Sequence, residues 1–171
     1  MSNVETVSAT QGSPFWKFSL GYYRGTGVSE ACLELQDRCG VDVNVVLFLL
    51  WLASQKRVVA ADQVKGLADK VRPWQTDVIG PIRALRRMLK SDAPLLDKGS
   101  AELFRTKIKA VELESERLQQ GAMYGMAENL TTESATSVAA AARANIAAYE
   151  SAVGRPFIKS AVDTMIAALP A

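Results

Sequence analysis

The chain has 171 residues, 49% apolar and 22% charged, the proportions of a globular protein long enough to bury one substantial core. Twenty basic side chains against eighteen acidic ones leave a net charge of +2, too little to argue for a nucleic-acid partner. With no histidine and only two cysteines, the composition excludes a Ser-His-Asp triad and a conventional zinc site, so neither metal nor cofactor is expected.

Residues 1–12 are small and polar without periodicity and read as a flexible tail, which leaves 13–171 as a single domain. The start of the chain lacks the basic and apolar blocks of a signal peptide, which favours the cytoplasm. Ser13-Pro14 has the form of an N-cap with proline in the first helical turn, followed by Phe15, Phe18 and Tyr22 at helical spacing. Gly25-Thr26-Gly27 stops that helix, and the next carries Cys32, Leu33, Leu35 and Gln36. Cys32 and Cys39 lie two turns apart on it, about 10 Å, which suits two buried thiols rather than a disulfide.

Gly40 fits the left-handed position past a helix end, Val41 supplies the accompanying apolar contact, and Asp42 fits the N-cap of the next helix. From Val45 to Ala53 nine residues are apolar without a break. A membrane span needs roughly 20, so this run reads as a buried central helix over 43–53.

A further helix is expected over about 61–71, with a break at Arg72-Pro73-Trp74 and a second break or sharp kink at Gly80-Pro81. Beyond them Ile82, Leu85, Met88 and Leu89 form one face of a helix, and Arg83, Arg86, Arg87 and Lys90 group opposite; Ser91-Asp92-Ala93-Pro94 ends it. A long helix over about 100–129 carries Phe104, Ile108, Val111, Ser115, Leu118, Ala122 and Met126, a seam of coiled-coil type and a route to self-association. Thr131-Thr132-Glu133 restarts the chain into a stripe of Val138, Ala142, Ile146, Tyr149 and Val153, and a short helix follows Gly154-Arg155-Pro156. No window alternates as a strand does. The expected fold is therefore all-α, a bundle of about six to eight helices around the 43–53 helix.

Three stretches together carry a family resemblance: Phe15-Trp16-Lys17-Phe18-Ser19-Leu20; Gly27-Val28 with Ala31-Cys32-Leu33; and Leu35-Gln36-Asp37-Arg38, Gly40 and Asp42-Val43-Asn44 with the apolar run through Phe48, Trp51 and Leu52. Weaker support comes from the segments 82–90 and 111–117. The chain resembles DUF2390, a bacterial family of unknown function, over roughly Phe15 to Arg117. Members often carry histidine at the position of Cys39 and proline at that of Thr26. The resemblance implies a class of protein and no activity.

Three places are candidates for function. Gln36, Asp37, Asp42 and Asn44 gather at the mouth of the apolar run, as a ligand-binding set or a structural network. Asp37 stands in the last turn of its helix, where the dipole disfavours a negative charge, and calls for compensation by a cation such as an arginine from another helix. Arg83, Arg86, Arg87 and Lys90 form a solvated face or a site for an anionic partner. The aromatic group Phe15, Trp16, Phe18, Tyr22 and Tyr23 reads as core, unless Trp16 and Tyr23 face outward to anchor a partner. Standard enzyme motifs are absent, and catalysis is not required by any residue pattern. The expected function is a cytoplasmic binding, adaptor or regulatory module acting on another protein or on itself. The alternative is a small helical enzyme or ligand-binding protein with a polar pocket at Asp37, Asp42 and Asn44, open to an anionic small ligand.

Overall fold

The structure, a computed structural model, describes residues 12–91 and 95–170; the tail expected over 1–12 lies outside it except for Gly12, as do residues 92–94 of the expected helix end. Eight α-helices account for most of the described chain: α1 (Pro14–Tyr22), α2 (Val28–Cys39), α3 (Val43–Ser54), α4 (Ala61–Trp74), α5 (Gly80–Ser91), α6 (Lys98–Met126), α7 (Val138–Val153) and α8 (Lys159–Ala167). The protein is an all-α bundle, and α3 is its axis: Val45, Val46, Phe48, Leu49, Leu50, Leu52 and Ala53 have no exposed surface. Around α3 stand α1, α2, α6 and α7, while α8 closes over α2 and α7. Among the described residues no helix is long and apolar enough to cross a membrane.

Local chemistry sets the joints. Ser13 Oγ accepts from Trp16 N at 3.1 Å and opens α1 with Pro14 in its first turn. Gly40 closes α2 at φ 61°, and Asp42 opens α3 by accepting from Asn44 N at 2.9 Å. Phe15 fits edge-on to Phe48 at 5.2 Å and leads into Trp51 and Tyr124, so α1 is locked to both α3 and α6. Of the aromatic group, Phe15 and Tyr22 are core, Trp16 and Phe18 are half-buried, and Tyr23 faces outward.

Several expectations need correction. Neither proline pair breaks the chain: α4 runs through Pro73 and passes by a π turn, Gln75–Ile79, directly into α5. In that widened turn Gly80 N–H bonds to Gln75 O, and a Cβ at Gly80 would sit 3.1 Å from the same oxygen. Pro81 then falls in the first turn of α5, where its missing N–H is tolerated. A strand pair also exists, β1 (Arg57–Val59) antiparallel to β2 (Thr132–Ser134), with Val58 opposite Glu133. Strands of three residues are too short for alternation to register. They are held by Asn145 on α7, whose amide donates to Leu49 O and Arg57 O and accepts from Val59 N. Thr132 and Glu133 thus enter a strand, and α7 starts from Ser137.

The seam of α6 is rotated from its expected position. Ala101, Glu112, Ser115, Gln119, Gln120 and Met123 are the buried residues, whereas Phe104, Val111 and Leu118 are 44%, 51% and 48% exposed. On α5 likewise, Arg83 and Arg86 turn toward α6 and Leu85 and Met88 turn outward. Ion pairing across the helices, rather than apolar area, decides which faces meet.

Candidate functional site

Asp42 and Asn44 sit where α3 begins, and α6 passes across them. Asn44 Nδ2 donates to Gln119 Oε1 at 2.9 Å, Gln119 Nε2 donates to Asp42 Oδ2 at 2.5 Å, and Gln120 Nε2 donates to Asn44 Oδ1 at 2.8 Å. Asn44, Gln119 and Gln120 are all buried. A polar layer of this kind holds two helices in one register, because any slip leaves buried amides unpaired. Burial raises the Asp42 carboxyl above its ordinary value, against the hydrogen bonds from Gln119 and Asn44 and the charge of Arg83. Tyr149, on α7, accepts from Asp42 N through its hydroxyl at 3.2 Å. Burial first, and the Asp42 charge second, push that phenol up to about 12.

A charged layer lies next to this one. Arg83 donates to Glu112 Oε1 at 2.8 Å and to Glu116 Oε1 at 2.7 Å, and Arg86 also pairs with Glu112. Burial drives the Glu112 carboxyl up, but hydrogen bonds from Arg86 and Arg83 and their charges outweigh it, so it is held below its ordinary value. Glu116 goes the other way, raised by burial beyond what Arg83 recovers. Arg87 reaches Asp37 Oδ1 at 3.2 Å in a half-exposed pair, which supplies the cation that the end of α2 calls for. Gln36 Nε2 lies 3.4 Å from the same oxygen.

The four residues gathered in sequence are therefore divided in space. Asp42 and Asn44 belong to the buried layer, and Gln36 and Asp37 to the surface beside α5. Arg83 and Arg86 lie inside the α5–α6 interface, Arg87 is on its edge, and Lys90 is exposed. Glu112, Glu116, Gln119 and Gln120, which the sequence does not mark as site residues, complete the two layers with Tyr149, which it marks only as part of an apolar stripe. Positions 112, 116 and 119 recur at helical spacing, but they are polar, and an apolar stripe does not include them.

Of two surface depressions, one adjoins the polar layer and the other lies at the far end of α3. One of about 340 Å³ is bounded by Asp42 and Tyr149 with Lys65, Asp69, Arg72 and Gln75. Its two cations both pair with Asp69, so the rim is largely neutralised. Asp37 and Asn44 do not line it. The other, of about 400 Å³, runs between Trp51, Tyr124, Arg57 and Glu128. Among the described residues no group of three or more His, Cys, Asp or Glu side chains is placed to hold a metal ion.

The remaining feature is the arm formed by α5 and the first half of α6. Arg83 paired with Glu116 marks the side of the arm that faces α1 to α3. On two antiparallel helices, periodicity then puts Leu85, Phe104, Val111 and Leu118 together on the opposite flank. Trp74 borders that flank, with Nε1 donating to Ser115 O at 3.0 Å. The arm turns Arg83, Arg86, Glu112 and Glu116 inward and Leu85, Phe104, Val111 and Leu118 outward.

These features define an all-α protein with a polar interior layer and an apolar outer flank, a class with no reaction attached. Residues 14–123 match the model of a family described as a protein of unknown function, DUF2390, and the chain belongs to that family. No curated protein and no solved structure matches the chain.

Proposed function

We propose that the protein is a bacterial, cytoplasmic binding module that works through protein–protein contact at the open flank of the α5–α6 arm. One observation carries this reading: Phe104, Val111 and Leu118 repeat every seven residues and remain about half exposed, while the inner seam of the same helix is polar. Folding would bury that strip if its only task were stability, since apolar area is the main favourable term available. Contiguous apolar strips on a surface mark interaction sites, and a seven-residue repeat matches the needs of a second helix. Nucleic acid is disfavoured, because Arg83, Arg86 and Arg87 are all engaged by carboxylates.

A photo-crosslinking residue placed at Val111 in cells tests this, with the same probe at exposed Lys159 as control. A discrete adduct at 111 and none at 159 is the expected result. An empty lane at 111 from folded, expressed protein overturns the reading.

The alternative, a small-ligand protein or enzyme, draws on the 340 Å³ depression, where the raised Asp42 carboxyl and Tyr149 phenol lie together. Its test is native mass spectrometry of protein purified from its host. A co-purifying small molecule lost in Tyr149→Phe would favour it, and a bare chain would count against it.

A further inference from the structure

We propose that the occupant of the arm's open flank is a second copy of this chain, packed antiparallel about a two-fold axis close to Val111. The inference rests on reading that flank as a protein-binding surface, and it names the partner. Phe104 and Leu118 stand seven residues to either side of Val111, so the strip reads the same in both directions. An antiparallel copy sets Phe104 against Leu118 of its mate and Val111 against Val111, over a length of about 20 Å of helix. This self-complementarity is what a two-fold interface requires.

The charges agree with that direction. Lys107 and Glu114 both lie along the solvent side of the strip, again seven residues apart, and both are exposed. In the antiparallel arrangement Lys107 of each copy lies beside Glu114 of the other, giving two opposite-charge contacts. A parallel two-fold arrangement would put Lys107 and Glu114 of one copy on the opposite side of the contact from those of the other, so neither would meet an opposite charge. Such border charges select partner and direction more than they add affinity. Glu114 already pairs with Arg117 one turn on, at 2.7 Å, an exposed contact that it can share at little loss. Leu85 extends the flank onto α5, so two arms pressed together make a four-helix bundle out of two hairpins. The outward apolar residues would become the core that each arm lacks alone.

Sedimentation velocity on the full chain over a wide concentration series tests this. Wild type is expected to form a dimer, and Val111→Asp to be monomeric with an unchanged helical circular dichroism spectrum, since Val111 is half exposed. Lys107→Glu and Glu114→Lys should each weaken association about tenfold or more. An equimolar mixture of the two should recover it, because the mixed pair restores both opposite-charge contacts. A wild-type monomer at every concentration overturns the second copy. So does association unaffected by either reversal, or a mixture no tighter than the single variants. A monomer whose Val111 probe still crosslinks a different protein would sink the dimer and leave the binding module standing. A monomer with no adduct would sink both.

Discussion

Arg83 Nε donates to Glu112 Oε1 at 2.8 Å across the α5–α6 interface, with the arginine side chain 15% exposed and the glutamate 8%. Glu112 also takes Arg86, and Glu116 shares Arg83, so two carboxylates balance two guanidiniums in a place with little water. Removing the Glu112 charge leaves two guanidiniums against Glu116 alone. Glu112→Gln is expected to lower stability by about 3 kcal/mol at neutral pH, within the range for breaking a buried pair. Urea titration followed by circular dichroism gives the number, and a change under about 0.5 kcal/mol would show that the layer is idle.

The same layer makes stability depend on pH in two opposite senses. Glu112 has a folded pKa below its ordinary value of 4.5, so its contribution is complete above 4.5 and is lost as pH falls through the folded value. Glu116 has a folded pKa above 4.5, so its contribution is present below 4.5 and is lost as pH rises through the folded value. Measured from pH 4 to pH 8, Glu116→Gln should gain on wild type as pH rises. The deficit of Glu112→Gln should shrink toward acid. Parallel curves for all three proteins would refute both assignments.

Asn44 and Gln119 should be energetically coupled, because each satisfies an atom of the other inside the bundle. Asn44→Ala strands the amides of Gln119 and Gln120 and is expected to cost about 2–4 kcal/mol. A double-mutant cycle with Gln119→Ala should return an interaction energy of about 1 kcal/mol or more. Additive single effects would mean that the network does not hold α3 against α6.

Asp37→Asn should leave stability within about 0.5 kcal/mol of wild type, since its pair with Arg87 is half exposed at 3.2 Å. The substitution serves as a functional probe for that reason. Normal stability with loss of a bound partner would give Asp37 a role at the surface. A large loss of stability would show that the pair matters more than its exposure implies.

Gly40→Ala is expected to cost about 1–2 kcal/mol from the left-handed conformation alone. Its backbone stands at φ 61°, and an added Cβ would lie 3.0 Å from Arg155 Nη2, the group that bonds to Cys39 O. The melting temperature of Gly40→Ala beside that of Gly66→Ala, a helical glycine with open space around it, isolates the effect. Equal shifts would leave Gly40 without a special role.

Much of the architecture follows from local chemistry that a sequence displays directly. Ser13-Pro14, Gly40 and Asp42 name helix ends because capping and left-handed backbone depend on one or two residues. The unbroken apolar run from Val45 to Ala53 names its own burial, since no face of it can profitably meet water. The family resemblance rests on that same joint and run.

Other decisions needed the tertiary structure, wherever the outcome depends on what stands opposite. Pro73 and Pro81 look like breaks until the π turn between them supplies a bond from Gly80 to Gln75. Gln119 and Gln120 look like surface residues until Asn44 and Asp42 are brought against them. Asp37 joined Arg87 across fifty residues, and Asp42 parted from it across five. On α5 and α6, periodicity marks two faces and cannot say which one turns inward. Apolar area argued for one and paired charges took the other, because a guanidinium with two carboxylates in reach is satisfied only when the helices meet on that side.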